Sequence, residues 1–172
     1  MSYQIDLTNL LIEQLKLDTT IQENHHVTYP ETRRKRLLAL VVELGEFANT
    51  TRCFKFWSNR GRDVEERVLD EAADCLHFYL GLYLTDTNSE CVKGGPGNIV
   101  TFKTKDESFT PDNEFITSLF LGATKDALDG KLFESLDQFF QIIDSLGFSW
   151  SDLEKAYYKK LGVNYDRQDN NY

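Results

Sequence analysis

The apolar residues Ile5, Leu7, Leu10, Leu11, Leu15, Leu17 and Ile21 recur mostly at helical spacing and predict a first amphipathic helix over residues 5–22. The polar stretch from Asn24 to Pro30 breaks the pattern. A second helix is expected to open near Glu31, just after Pro30, and to run to about Phe54, with a third from about Val64 to Leu84. The connection between these two, KFWSNRGR, is basic and aromatic. After Thr85 the texture changes. Residues 86–111 are polar, rich in Gly, Ser and Thr, and too long for an ordinary helix connection, so they read as a mobile excursion with a short strand pair around Ile99 to Phe102.

Helical patterning resumes near Asp112 with FITSLFLGATKDAL, breaks at Gly130 and continues in KLFESLDQFFQIIDSLG. A last helix is predicted from Ser149 or Ser151, with Ser151 and Glu154 at capping-box spacing, through Leu161 and Gly162. Residues 162–172 then read as a flexible polar tail. The class is all-α: a helical bundle of about five to six helices with a long polar insertion between helices three and four, in a single domain spanning residues 1–172.

Composition narrows the function. A chain of 172 residues with 41% hydrophobic residues, 12 Phe, 8 Tyr and 2 Trp can build one well-filled core. The net charge of −9 disfavours direct nucleic acid binding through a broad basic surface. No apolar run approaches the ~20 residues of a membrane helix, and no basic segment precedes the first apolar residues, so no membrane association and a cytoplasmic location are expected. Cys53, Cys75 and Cys91 are odd in number, lack a CxxC spacing and read as free thiols. His25 and His26 make no ligand spacing with other His or Cys residues.

The chemistry shows in two apolar helices. Within LLALVVELGEFA the only charged residues are Glu43 and Glu46, and apolar residues on both sides imply a helix buried nearly all round. Within VLDEAADCLHFYLGLYL, Glu71 and Asp74 repeat the i, i+3 spacing, and Phe78 lies about 20° from Glu71 around the helix. Four carboxylates on neighbouring apolar helices repel one another and lose water, so they need a positive partner. Oxygen ligands without cysteine favour Mg²⁺ or Mn²⁺, and Mg²⁺ shares its shell with substrate phosphates. The alternative is that the acids are partly solvated or paired with Arg33, Arg34 and Arg36.

The run LLALVVELGEFANTTRCFKFW, then DEAADCLHF, then YYKKLGVNYDRQDNNY resembles the dimeric dUTPases of the all-α nucleoside triphosphate pyrophosphatase superfamily over about residues 10–172. The superfamily's ExxE…ExxD matches Glu43, Glu46, Glu71 and Asp74. The resemblance implies that these acids hold two or more Mg²⁺ ions, with Mn²⁺ as a substitute, that Glu46 is the catalytic base toward water, and that dUTP yields dUMP and pyrophosphate. Whether dUDP is also cleaved stays open. The resemblance places Lys160, Asn164 and Arg167 on the phosphates, with Lys55 as a weaker candidate. It places Gln14 at the uracil edge and Trp57, His77 and Phe78 against the base and deoxyribose. It further implies a homodimer.

Three rivals remain: a sister enzyme acting on another nucleotide such as dCTP, a di-iron carboxylate bundle suggested by Glu71, Asp74 and His77, and a protein-interaction role through the 86–111 insertion.

Overall fold

The computed structural model describes residues 2–93, 98–104 and 108–170. Strand β1 (Ser2–Asp6) leads into α1 (Thr8–His25), α2 (Tyr29–Thr51) and α3 (Glu65–Asp86). A 3-10 turn (Glu90–Lys93) and strand β2 (Ile99–Lys103) follow, then α4 (Asn113–Leu128), α5 (Leu132–Ser145) and α6 (Trp150–Asp169). The all-α class holds, with one two-stranded ribbon beside the bundle.

The helix ends are written locally. The Thr28 backbone N–H donates to the Glu31 carboxylate at 2.8 Å, with Pro30 in the first turn of α2. Asp112 caps α4 by accepting from the Phe115 N–H at 2.8 Å. Gly130 and Gly147, at φ +78° and +85°, supply the left-handed residues that stop α4 and α5.

Helix α3 is the axis of the fold, packed by α2, α6, α1 and α5. Its Val68, Ala72, Cys75, Leu76 and Tyr79 are buried, and small residues at 72 and 73 let neighbours approach closely. Phe47 of α2 meets Phe120 and Phe139 edge-on at 5.1 and 6.0 Å, joining α2 to the α4–α5 hairpin. No helix among the described residues is long and apolar enough to cross a membrane.

Five expectations need correction. The first helix starts at Thr8, because Ile5 lies in β1, which pairs antiparallel with β2 through Ile5↔Val100 and Tyr3↔Phe102. The excursion is therefore not a loose loop where it is described. Val100 and Phe102 are buried, Phe102 stacks on Phe140 at 5.0 Å, and the buried Asn98 donates to Thr8 Oγ1 and the Cys91 carbonyl. Residues 94–97 and 105–107 of that stretch lie outside the described residues.

Helix α2 is not buried all round: Leu40, Leu44 and Phe47 face the core, whereas Leu38 and Val42 are 64% and 48% exposed. α3 and α4 are the helices that chiefly pack against it. Finally, the last capping box is Ser149 with Asp152, not Ser151 with Glu154, and α6 runs through Gly162 to Asp169, so no tail begins at 162. Packing of Tyr157, Lys160 and Leu161 against the body holds a helix that propensity alone ends early. Asn171 and Tyr172 lie outside the described residues.

Candidate functional site

A cleft of about 570 Å³ opens between α1, α2, α3 and the second half of α6. Gln14, Asp18, Arg36, Glu43, Glu46, Asp74, His77, Phe78, Asn164 and Arg167 line it. The crossing of α2 and α3 sets the acids: one carboxylate oxygen each from Glu43, Glu46 and Glu71 falls within 4.8 Å of the others. The i, i+3 spacing points both acids of α2 the same way, and α3 presents Glu71 to them. Glu43 and Glu71 are partly buried and Glu46 is exposed.

Burial, and then the charges of Asp74, Glu46 and Glu71, push the Glu43 carboxyl up to about 7. Burial, followed by neighbouring acids, also raises Glu71. Asp74 is raised by burial although Lys160 opposes the shift. The Lys160 ammonium sits 2.6 Å from Asp74 Oδ2 and 2.8 Å from Asp70 Oδ2. Its own burial works against the charge, but the hydrogen bonds to both aspartates prevail and raise its pKa. The three glutamates thus hold hard oxygen donors close together under mutual repulsion, which fits a divalent cation.

The alternative pairing of these acids with arginines does not occur where it was expected. Arg33 bonds Asp86 at 2.6 Å, Arg36 bonds Asp18 at 3.0 Å, and Arg34 is exposed.

On α6, Lys160, Asn164 and Arg167 follow at i, i+4 and i+7 and share one stripe, and the latter two line the cleft. Arg167 Nη1 donates to Asn164 Oδ1 at 3.4 Å. At the other end, Gln14 and His77 are buried and joined, Nδ1 to Oε1, at 2.7 Å, while Phe78 is partly buried at the rim. Lys55 and Trp57 are not brought to this cleft. They lie on the connection after α2, where Trp57 is 65% exposed against Phe54 and Phe56 and the Lys55 ammonium sits 5.7 Å from the Phe54 ring centroid.

Several participants carry no local signal of their own. Asp18, quoted above only as a cleft residue, is 1% exposed and accepts from Arg36 Nη1, the Tyr29 hydroxyl and Gln14 Nε2, each at 3.0 Å. A Cβ at Gly81 would stand 2.8 Å from Arg36 Nη1 and 3.2 Å from Asp18 Oδ2, so α3 has its glycine where this ion pair lies against it. The i, i+4 spacing of Gln14 and Asp18 on α1 is the one local trace of this contact, since it lets Gln and Asp side chains bond.

Set against models of protein families, the chain matches the one described as dUTPase over residues 6–172. No curated protein matches it.

Proposed function

From the membership of this chain in the dUTPase family, whose dimeric, all-α enzymes hydrolyse dUTP with a divalent metal, we propose how this cleft performs that dUTP diphosphatase activity. Glu43, Glu46, Glu71 and Asp74 would hold Mg²⁺, with Mn²⁺ as a substitute, and dUTP leaves as dUMP and pyrophosphate. When bound, the metal supplies positive charge that screens the triphosphate and acidifies a water.

The protein's own groups do the rest. Glu46, the exposed member of the cluster, is the base that orients and deprotonates the attacking water. Lys160, Asn164 and Arg167 hold the phosphates: a guanidinium and an ammonium on one helical stripe suit the outer oxygens. Lys160 passes from Asp74 and Asp70 to phosphate as substrate enters, which frees Asp74. The buried end, with Gln14, His77 and Phe78, takes the uracil and deoxyribose. Lys55 and Trp57 contribute only through a movement of their connection or from the second copy of the dimer. The exposed Leu38 and Val42 on α2 give that copy an apolar surface to cover.

The observation that carries the reading is the meeting of three glutamate oxygens within 4.8 Å, two of the glutamates lining a cleft that Asn164 and Arg167 of α6 also line. The experiment is product analysis by anion-exchange chromatography with dUTP, UTP, dTTP and dCTP, with Mg²⁺ and with chelator, on the wild type and Glu46→Gln. Mg²⁺-dependent release of dUMP and pyrophosphate from dUTP alone, lost in the variant, is the expected result. Preferred turnover of dCTP would keep the carboxylate site and overturn the base assignment.

A further inference from the structure

Asp70 and Asp74 stand one turn apart on α3 and open to different surfaces. Asp74 lines the cleft, whereas Asp70 lines a separate groove between α3 and α6 with Glu66, Leu69 and Lys159. One ammonium joins the two surfaces. Lys160, laid across α3 by α6, donates to Asp74 Oδ2 at 2.6 Å and to Asp70 Oδ2 at 2.8 Å.

Burial makes this sharing consequential. The Lys160 side chain is 7% exposed, that of Asp74 19% and that of Asp70 44%. A buried ammonium that loses its last carboxylate is an uncompensated charge, so Lys160 can let go of one aspartate only while the other holds it. The adjacent pair, Lys159 with Glu66, is exposed at both ends and offers Lys160 no substitute partner. Asp74 is claimed twice, by this ammonium in the free protein and by a divalent cation in the metal-loaded one. Two cations on one carboxylate repel each other, so the ammonium is the one that must yield.

We propose that Asp70 is a positioning residue that retains Lys160 when Asp74 turns to the metal, so that the carboxylate is released without stranding the ammonium. The inference rests on the metal-dependent dUTP reading of the cleft and deepens it: Lys160 waits on Asp70, at the edge of the cleft, for the phosphates. Asp70 could otherwise act as a further metal ligand or as a plain negative charge nearby, and the test separates these roles.

The experiment is a Mn²⁺ titration of the full chain without nucleotide, at one fixed pH and ionic strength, with the free ion followed by its paramagnetic resonance signal. Wild type, Asp70→Ala, Lys160→Met and the double variant are compared. Alanine suits the half-exposed helical position 70, and methionine keeps the apolar stem of Lys160 while removing its charge. Asp70→Ala is expected to weaken Mn²⁺ binding about tenfold, because Lys160 then has only Asp74 to hold. Lys160→Met is expected to tighten it, and Asp70→Ala added to Lys160→Met to change it by no more than about twofold. An equal weakening in both backgrounds would make Asp70 a ligand or a plain charge and overturn the proposal. So would an unchanged affinity in Asp70→Ala, or a wild type that takes up no Mn²⁺.

A crystal structure of the wild type with Mg²⁺ and no nucleotide decides the matter even if Lys160→Met fails to fold. The Lys160 ammonium is expected on Asp70 alone. An ammonium still on Asp74 beside the bound metal, or released from both aspartates, overturns the proposal. Absence of pyrophosphate release from dUTP beside intact Mn²⁺ binding would instead overturn the functional reading, so the two failures stay distinct.

Discussion

The two halves of the cleft treat buried carboxylates in opposite ways. At one end Asp18, 1% exposed, has a guanidinium, a phenol and an amide donating to it, and a glycine on α3 clears room for the pair. At the other end Glu43 faces Asp74, Glu46 and Glu71, and the nearest cation, Lys160, sits on the two aspartates of α3. Charge in a low-dielectric setting persists only where something offsets it. The first half carries its counter-charge within the chain and is complete without a ligand. The second half leaves its negative charge for a divalent cation and a phosphate chain to complete, which is where a reaction on a triphosphate needs its field.

The largest test of this contrast is Asp18→Ala. It strands Arg36, whose side chain is 11% exposed, and breaking one side of such a pair costs ~3–5 kcal/mol. For a chain of this size the melting temperature should fall by roughly 6 °C or more at matched protein concentration. A melt within about 2 °C of wild type would mean that the pair contributes little and that the halves do not differ as described.

Glu43→Gln should act with the opposite sign. In chelator it relieves like-charge repulsion, and since Glu43 is partly exposed and screened the gain is under ~1 kcal/mol, about 1–3 °C. Its turnover of dUTP should nevertheless drop by about 100-fold or more, measured as pyrophosphate release under saturating Mg²⁺. Destabilisation in chelator would show that the cluster is already compensated.

The smallest effect is on pH dependence. The folded protein holds a proton on Glu43 up to about pH 7, against an ordinary value of 4.5, so chelated protein gains stability as pH falls from about 8 through 7. Glu71 and Asp74 shift the same way and add to the gain. Below about 6.5 His77 opposes it, because the unfolded chain binds a proton that the folded imidazole, at about 3, excludes. Melts across this range should therefore rise and then flatten, and saturating Mg²⁺ should abolish the rise by competing with the proton. A profile identical with and without Mg²⁺ would remove the metal from the acid half.

Much of this molecule was legible along the chain. The acid half announces itself because Glu43, Glu46, Glu71 and Asp74 are the charged interruptions of two apolar helices, and the i, i+3 spacing is a local fact. Helix positions followed from Pro30, Asp112, Gly130 and the apolar periodicity, and the helices fell within a few residues of where those signals put them. The stripe of Lys160, Asn164 and Arg167 was quoted as a motif, although its helix was expected to have ended.

What the chain by itself determined, then, was its class and its charged chemistry, since both depend on neighbours three or four residues apart. What only the tertiary structure decided were pairings across long separations: β1 with β2 through Ile5 and Val100, Lys160 with Asp70 and Asp74, and Tyr157 with Gln14 and His77. It also decided which side of α2 stays uncovered at Leu38 and Val42. The physical reason is that periodicity reports a residue's face on its own element, whereas a partner is chosen by how whole elements pack. Asp18 reads as one more acid of α1 until α2 and α3 close over it and supply the charge that lets it stay there.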